Sequence, residues 1–202
     1  MLTGSTVRTI SILIFLRYRL LADTGRSYSF DHRGTGFGRG EGAGCIILKS
    51  LEEAQTAGDA IRSVIAASGI NQDGRTRGIS MPNSAAQEAL IRQVYKQAGL
   101  DPSLTGYVEA HGTGTKVGDP LEATALQAVF GEGRTPRQPL LVGSVKSNIG
   151  HLEGTSGVVS VIKTALMLER GFVLPNCNFE KTNEDIPMDK WNMKVWNFLS
   201  VV

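Results

Sequence analysis

The chain has 202 residues, 41% of them hydrophobic and 20% charged, with a formal net charge of +2. That is enough chain to bury one core, or part of a larger one, and too apolar a composition for wholesale disorder. The near-neutral balance contains no block of lysine and arginine, so neither nucleic acid nor an anionic membrane is expected as a partner. Two cysteines, Cys45 and Cys177, far apart and without C-x-x-C spacing, argue against a disulfide scaffold or a zinc site, and no metal is expected.

In chain order, Ile10 to Leu16 is an apolar run closed by Arg17 and Arg19. Seven residues are too few to cross a bilayer core of about 30 Å, and no small-residue cleavage site follows. The run reads as a short strand or helix on the core edge, with a weak targeting segment as the other reading. Gly42 to Leu48 reads as a buried strand in which Cys45 packs as a small hydrophobe. A short helix is expected from Leu51 to Ala57, ended by Gly58. Ile61 to Ile70 is a β-branched run closed by the turn Asn71-Gln72-Asp73-Gly74.

Leu90, Ile91, Val94 and Tyr95 fall at helical spacing and predict a helix over Ser84 to Ala98, with Ser84 as N-cap, Gln87 as its capping-box partner and Gly99 as the stop. Gly106 to Ala110 is a short predicted strand aimed at His111. Asp119 and Pro120, in N-cap-then-N1 order, open a helix to about Phe130. Leu140 to Val145 is the next strand, ending at Lys146. Thr155 to Leu168 is an apolar helix whose Val158, Val159, Ile162, Ala165 and Leu166 predict deep burial between layers. Alternating strands and helices predict an α/β class.

Several common signatures are missing. There is no G-x-x-x-x-G-K-[ST] phosphate loop and no H-E-x-x-H. Gly38 to Ala43 fits G-x-G-x-x-A, but a strand is expected after it where a dinucleotide site needs a helix. Gly154-Thr155-Ser156-Gly157 lacks the second glycine of a nucleophile elbow. What remains is two of the three histidines, each in a turn of small residues: His111 in Glu109-Ala110-His111-Gly112-Thr113-Gly114-Thr115, and His151 in Lys146-Ser147-Asn148-Ile149-Gly150-His151-Leu152-Glu153-Gly154. A neutral imidazole donates a hydrogen bond to an oxygen that is becoming negative, and small neighbours let a ligand reach the backbone. His32, in Asp31-His32-Arg33, reads as structural.

These turns, together with Gly36-Phe37-Gly38-Arg39-Gly40-Glu41-Gly42, Asn71-Gln72-Asp73-Gly74 and Gly118-Asp119-Pro120-Leu121-Glu122, resemble consecutive motifs of the β-ketoacyl synthase domains of type I polyketide synthases. The resemblance implies a thiolase-like α-β-α-β-α fold, of which residues 23–195 hold the end of the first half and most of the second. Residues 1–22 stay unassigned and 196–202 form a divergent tail. It also implies decarboxylative Claisen condensation of acyl and malonyl thioesters carried on the phosphopantetheine of an acyl carrier protein, with no cofactor bound directly. His111 and His151 match the family's catalytic histidines and Lys146 its active-site lysine. Thr113 and Thr115 match the hydroxyls that touch the phosphopantetheine arm, although the residues alone also allow a simple turn-capping role.

A cytoplasmic location and an acyl carrier partner follow by the same resemblance, and a homodimer is expected only of the intact domain. The family's nucleophile motif, of D-T-A-C-S type, does not occur in these residues, so the chain reads as an interior fragment. Three readings stay open: a ketosynthase or a piece that works when complemented, a remnant that only binds phosphopantetheine or carrier protein, and a product without function.

Overall fold

The computed structural model describes residues 20–78, 80–197 and 200–201; the apolar run Ile10 to Leu16 lies outside the described residues. Helix α1 (Leu51–Ala57) starts where the Ser50 hydroxyl accepts the Glu53 amide hydrogen and donates to the Glu53 carboxylate at 2.7 Å. Helix α2 (Ser84–Ala98) has the predicted bounds, but its N-cap is Asn83, whose side chain accepts from Ala86 N at 3.2 Å. Ser84 is already helical, one residue inside the cap. Gly99, at φ 64°, ends the helix in the left-handed conformation that a side chain would disfavour.

Strand β1 (Tyr107–Glu109), helix α3 (Gly118–Phe130) and strand β2 (Leu140–Gly143) form a β-α-β unit, with β1 and β2 parallel and Val108 opposite Val142. Strand β4 (Met193–Val195) adds in parallel on the far side of β2, giving the order β1-β2-β4. Between β2 and β4 lie the single-turn helix α4 (Lys146–Ile149), helix α5 (Ser156–Arg170) and strand β3 (Phe172–Val173); β3 pairs antiparallel with β5 (Ser200–Val201).

The core fills the space between this sheet and α3. Leu140 and Val142, two residues apart on β2, point the same way and are fully buried with Met193 and Val195 of β4. Ala123, Leu126, Val129 and Phe130 of α3 close over them, and Ile91 and Tyr95 of α2 pack behind. Asp31 fastens the N-terminal loop to the C-terminal part. Its buried carboxylate accepts from Arg33 Nε at 2.7 Å and from the amides of Arg33, Glu180 and Lys181. Burial works to raise its pKa, but the guanidinium and the three amides outweigh burial and hold it at about 2. His32 sits in this same clamp, its Nδ1 3.2 Å from Asp31.

The structure departs from the expected pattern where a segment needs a neighbour. Gly42 to Leu48 and Ile61 to Ile70 form no ladder among the described residues, and Cys45 is exposed. Ile47 keeps 96% of its surface open and Ile70 93%. A β-branched run is strand-competent only where a paired edge satisfies its backbone. Helix α5 is likewise less buried than predicted. It buries Ser156, Lys163 and Met167, while Val161, Leu166 and Leu168 stay exposed, because Ser63, Val64 and Ile65 leave an open cavity against that face and do not close over it.

No helix among the described residues is long and apolar enough to cross a membrane. The uncovered apolar surface has an energetic consequence. A few hundred Å² at about 25 cal/mol per Å² amounts to several kcal/mol, comparable to a domain's whole net stability. The 202-residue chain in solution should therefore self-associate, visible as a concentration-dependent mass by light scattering. A monodisperse monomer with a sharp two-state melt would show that the exposed face is tolerated.

Candidate active site

Strand β1 delivers its chain end into a turn held almost entirely by side chains. Glu122, on the second turn of α3, accepts the His111 amide hydrogen at 2.6 Å and the Gly112 amide hydrogen at 2.8 Å. Asp119, one turn earlier and buried, accepts from Gly114 N at 3.1 Å and from Phe30 N at 2.7 Å. The carbonyls of the same turn are taken by hydroxyls: Ser29 donates to Gly112 O at 2.5 Å and Ser144 to His111 O at 3.2 Å. Gly114, at φ 81°, lies against the backbone of Tyr28, where a Cβ would have no room. Asp119 was expected to cap α3, yet the helix begins at Gly118 and the carboxylate serves the loop instead.

His151 does not follow a strand directly. Strand β2 ends at Gly143, Ser144 and Val145 turn the chain, and α4 intervenes, so Lys146 opens a helix and does not end a strand. The glycine-rich segment runs alongside: His151 N donates to Gly38 O at 2.7 Å and Gly40 N to His151 O at 3.0 Å. Phe37 meets the His151 ring edge-on, with centroids 5.1 Å apart. The segment that resembled a dinucleotide fingerprint is thus the wall of the second histidine turn.

The fold brings the two histidines together across forty residues of sequence. Their ring centroids are 5.2 Å apart and their planes nearly perpendicular, at 87°. His151 Nδ1 accepts the Glu153 amide hydrogen at 3.1 Å and lies 2.7 Å from Ser156 Oγ. A backbone N–H can only donate, so the neutral ring carries its proton on Nε2. Thr113 is buried, and its hydroxyl oxygen lies 3.2 Å from that of Thr115, which also accepts from Gly118 N at 3.2 Å. Thr115 therefore caps the turn in addition to facing its partner.

Electrostatics keep both rings neutral. Crowding by surrounding atoms, then the charge of Lys146 and the proximity of His151, pushes the His111 pKa down to about 4, although part of the residue remains exposed. Burial also lowers His151; Glu153 opposes this, while Lys146 and Arg39 add to it. Lys146 is buried, with no carboxylate in ion-pair distance among the described residues. Burial lowers its pKa against the more distant charges of Glu122, Glu109 and Asp119. Burial raises Asp119 to about 7 and raises Glu122, while the amides they bind pull the other way. Among the described residues no cluster of His, Cys, Asp and Glu has the makings of a metal site.

Glu122, Ser144 and Phe37 were given no role by sequence reasoning, although Glu122 and Phe37 stood in quoted motifs, and Asp119 was read only as a helix cap. Cys177 lies beside α4, its Sγ accepting from Asn148 Nδ2 at 2.8 Å.

The depressed His111 pKa gives a measurable pH dependence. A group whose folded pKa of about 4 lies below its unfolded 6.5 favours the unfolded state when protonated. Its contribution to stability is complete above pH 6.5 and is lost as the pH falls through 4. Site-resolved modification of His111 by diethyl pyrocarbonate, which needs the neutral ring, should show a midpoint near 4; a midpoint near 6.5 would mean that the site is open and solvated.

Comparison with known proteins identifies the family and the fold. A family model described as the beta-ketoacyl synthase C-terminal domain matches residues 62–180, and one for the N-terminal domain matches residues 4–54. The chain is 60% identical over 178 residues to highly-reducing polyketide synthase 1 of Aureobasidium melanogenum, covering 88% of this chain and 8% of that protein. It is 58% identical to a reducing polyketide synthase of Cochliobolus heterostrophus, covering 88% and 7%. Among solved structures, it superposes with a TM-score of 0.90 and 39% identity on the ketosynthase from module 6 of the Bacillus subtilis bacillaene synthase, covering 100% of this chain and 35% of that one. The oxazolomycin ketosynthase domain of Streptomyces albus gives a TM-score of 0.89 at 34% identity, covering 95% and 34%. The chain thus spans about a third of the ketosynthases that it matches in structure and under a tenth of the curated synthases. With a C-terminal family model covering more than half of its residues, on a part of the thiolase-like ketosynthase fold, the chain belongs to the beta-ketoacyl synthases.

Proposed function

We propose that this chain supplies the oxyanion-binding part of a polyketide ketosynthase site, in which His111 and His151 stabilise the enolate of a malonyl-type thioester as carbon dioxide leaves. The observation that carries the reading is the pair of neutral imidazoles 5.2 Å apart, one of them fixed with its proton on Nε2. In the first step the bond between the malonyl methylene and its carboxylate breaks, and the electron pair moves into the thioester as an enolate. Its oxygen gains negative charge where N–H groups can receive it. Neutral rings suit this better than imidazolium would, because their N–H groups are far less acidic and hold the enolate oxygen without handing it a proton. Lys146 adds positive field behind them. Thr113 and Thr115 offer hydroxyls to the phosphopantetheine arm of an acyl carrier protein, and a homodimer and a cytoplasmic setting belong to the same reading.

In the full condensation the enolate carbon attacks an acyl thioester held on a cysteine thiolate, which departs as the new carbon–carbon bond forms. Neither Cys45 nor Cys177 stands in the family's nucleophile motif. Incubation with an acyl thioester should therefore leave the intact mass unchanged. A hydroxylamine-labile adduct on either cysteine would overturn that expectation.

Decarboxylation is the surviving test of the histidines. The chain should release carbon dioxide from malonyl-pantetheine, with the enolate taking a proton from water to give the acetyl thioester and no β-keto product. Loss of one oxyanion donor costs about 10²–10³ in rate, so His111→Ala or His151→Ala should remove the activity. Release unaffected by either substitution would sink the reading.

A further inference from the structure

Beneath the histidine pair lies a buried charged cluster that the reaction does not use. Glu109, the last residue of β1, has 6% of its side chain exposed, and Lys163, in the middle of α5, has 7%. Lys163 Nζ donates to Glu109 Oε2 at 2.7 Å and to the Tyr107 hydroxyl at 3.0 Å, and the Tyr107 hydroxyl donates to the same Oε2 at 2.6 Å. The other oxygen, Oε1, accepts the Val145 amide hydrogen at 2.6 Å. Val145 immediately precedes Lys146, and Glu109 stands two residues before His111. One carboxylate therefore spans the two chain ends that leave the sheet for the two histidine turns.

We propose that Glu109 is a positioning residue that sets the spacing of His111 and His151 by tying the end of β1 to the turn that opens α4, with Lys163 and Tyr107 holding its orientation. The physical argument is one of alternatives. β1 and β2 are already paired through Glu109 opposite Gly143, but pairing ends there, and beyond it each chain turns away. Past the paired strands Ala110 N donates to Gly143 O, Ser144 Oγ to His111 O and Val145 N to Glu109 Oε1, and of these three bonds the one to Glu109 reaches the residue next to Lys146. A carboxylate accepting three donors with two oxygens has little rotational freedom. The hydroxyl of Tyr107 follows the same logic: burial and the adjacent Glu109 push its pKa up, so it stays a donor. Lys163 also explains why an otherwise apolar helix carries a buried cation on the face toward the sheet.

The proposal rests on the ketosynthase reading only for the importance of the pair; its test reads geometry, not turnover. Diethyl pyrocarbonate modification, quantified residue by residue by mass spectrometry, reports on all three histidines. His32 lies in the Asp31 clamp and serves as an internal reference. In the unaltered chain His151 should react slowly, since its lone pair on Nδ1 is occupied. In Glu109→Gln the amide turns an N–H₂ group toward Lys163 and Tyr107 and cannot hold the same orientation. Modification at His111 and His151 should then rise severalfold, with His32 unchanged. Equal acceleration at all three, or no change in a folded E109Q chain, would overturn the proposal. If E109Q does not fold, Tyr107→Phe, which removes one donor to the same oxygen, decides by the same criterion with a smaller rise expected. Loss of decarboxylation with an intact modification pattern would count against the proposed function and not against Glu109.

Discussion

The turn that carries His111 is held by carboxylates from a neighbouring helix. Glu122 accepts two consecutive amides and Asp119 accepts two more, one of them from Phe30, 89 residues away in sequence. Four backbone donors are satisfied by two side chains one helical turn apart. Everything that makes the site chemically useful depends on this. The amides fix where the ring emerges, the hydroxyls of Ser29 and Ser144 fix the carbonyls, and the β-α-β unit fixes the helix that bears the carboxylates. Together these bonds help to offset the ordering of a glycine-rich loop.

The electrostatic arrangement is internally consistent. The carboxyl groups of Asp119 and Glu122 stay behind the turn, bound to backbone amides, and Lys146 stays buried with no carboxylate in ion-pair distance among the described residues. Burial is the largest cause of the downward shift of both rings, and the charge of Lys146 adds to it, so both shift toward neutrality. Had Glu122 paired directly with His111, the ring would have been drawn toward imidazolium, a poor match to the role proposed for it.

Much of this fold is legible from residues alone where an element is self-contained. The periodicity of Leu90, Ile91, Val94 and Tyr95 identifies α2 because a helix satisfies its own backbone. Gly42 to Leu48 and Ile61 to Ile70 carry an equally strong β pattern but lack a paired edge among the described residues, and a strand cannot form without one. Site residues divide the same way. His111 and His151 stand out through their turns, whereas Glu122 and Asp119 do not, since the amides they bind come from other segments. Lys163 is hidden in a run of apolar residues, where only the packed position of Glu109 gives it meaning. The Asn83 cap shows the smallest error of this kind, a shift of one residue between two equally good capping side chains.

The hydrogen bonds at His151 set the direction in which protons can travel. With Nδ1 occupied by the Glu153 amide and the Ser156 hydroxyl alongside, the ring has no free lone pair to receive one. It can lend its Nε2 hydrogen to an oxygen, but it cannot strip a thiol or a water. Any nucleophile working opposite it must arrive already ionised, or lose its proton to some other base. A ring so arranged is a one-way valve, suited to an intermediate that must be held as an anion and kept from premature quenching.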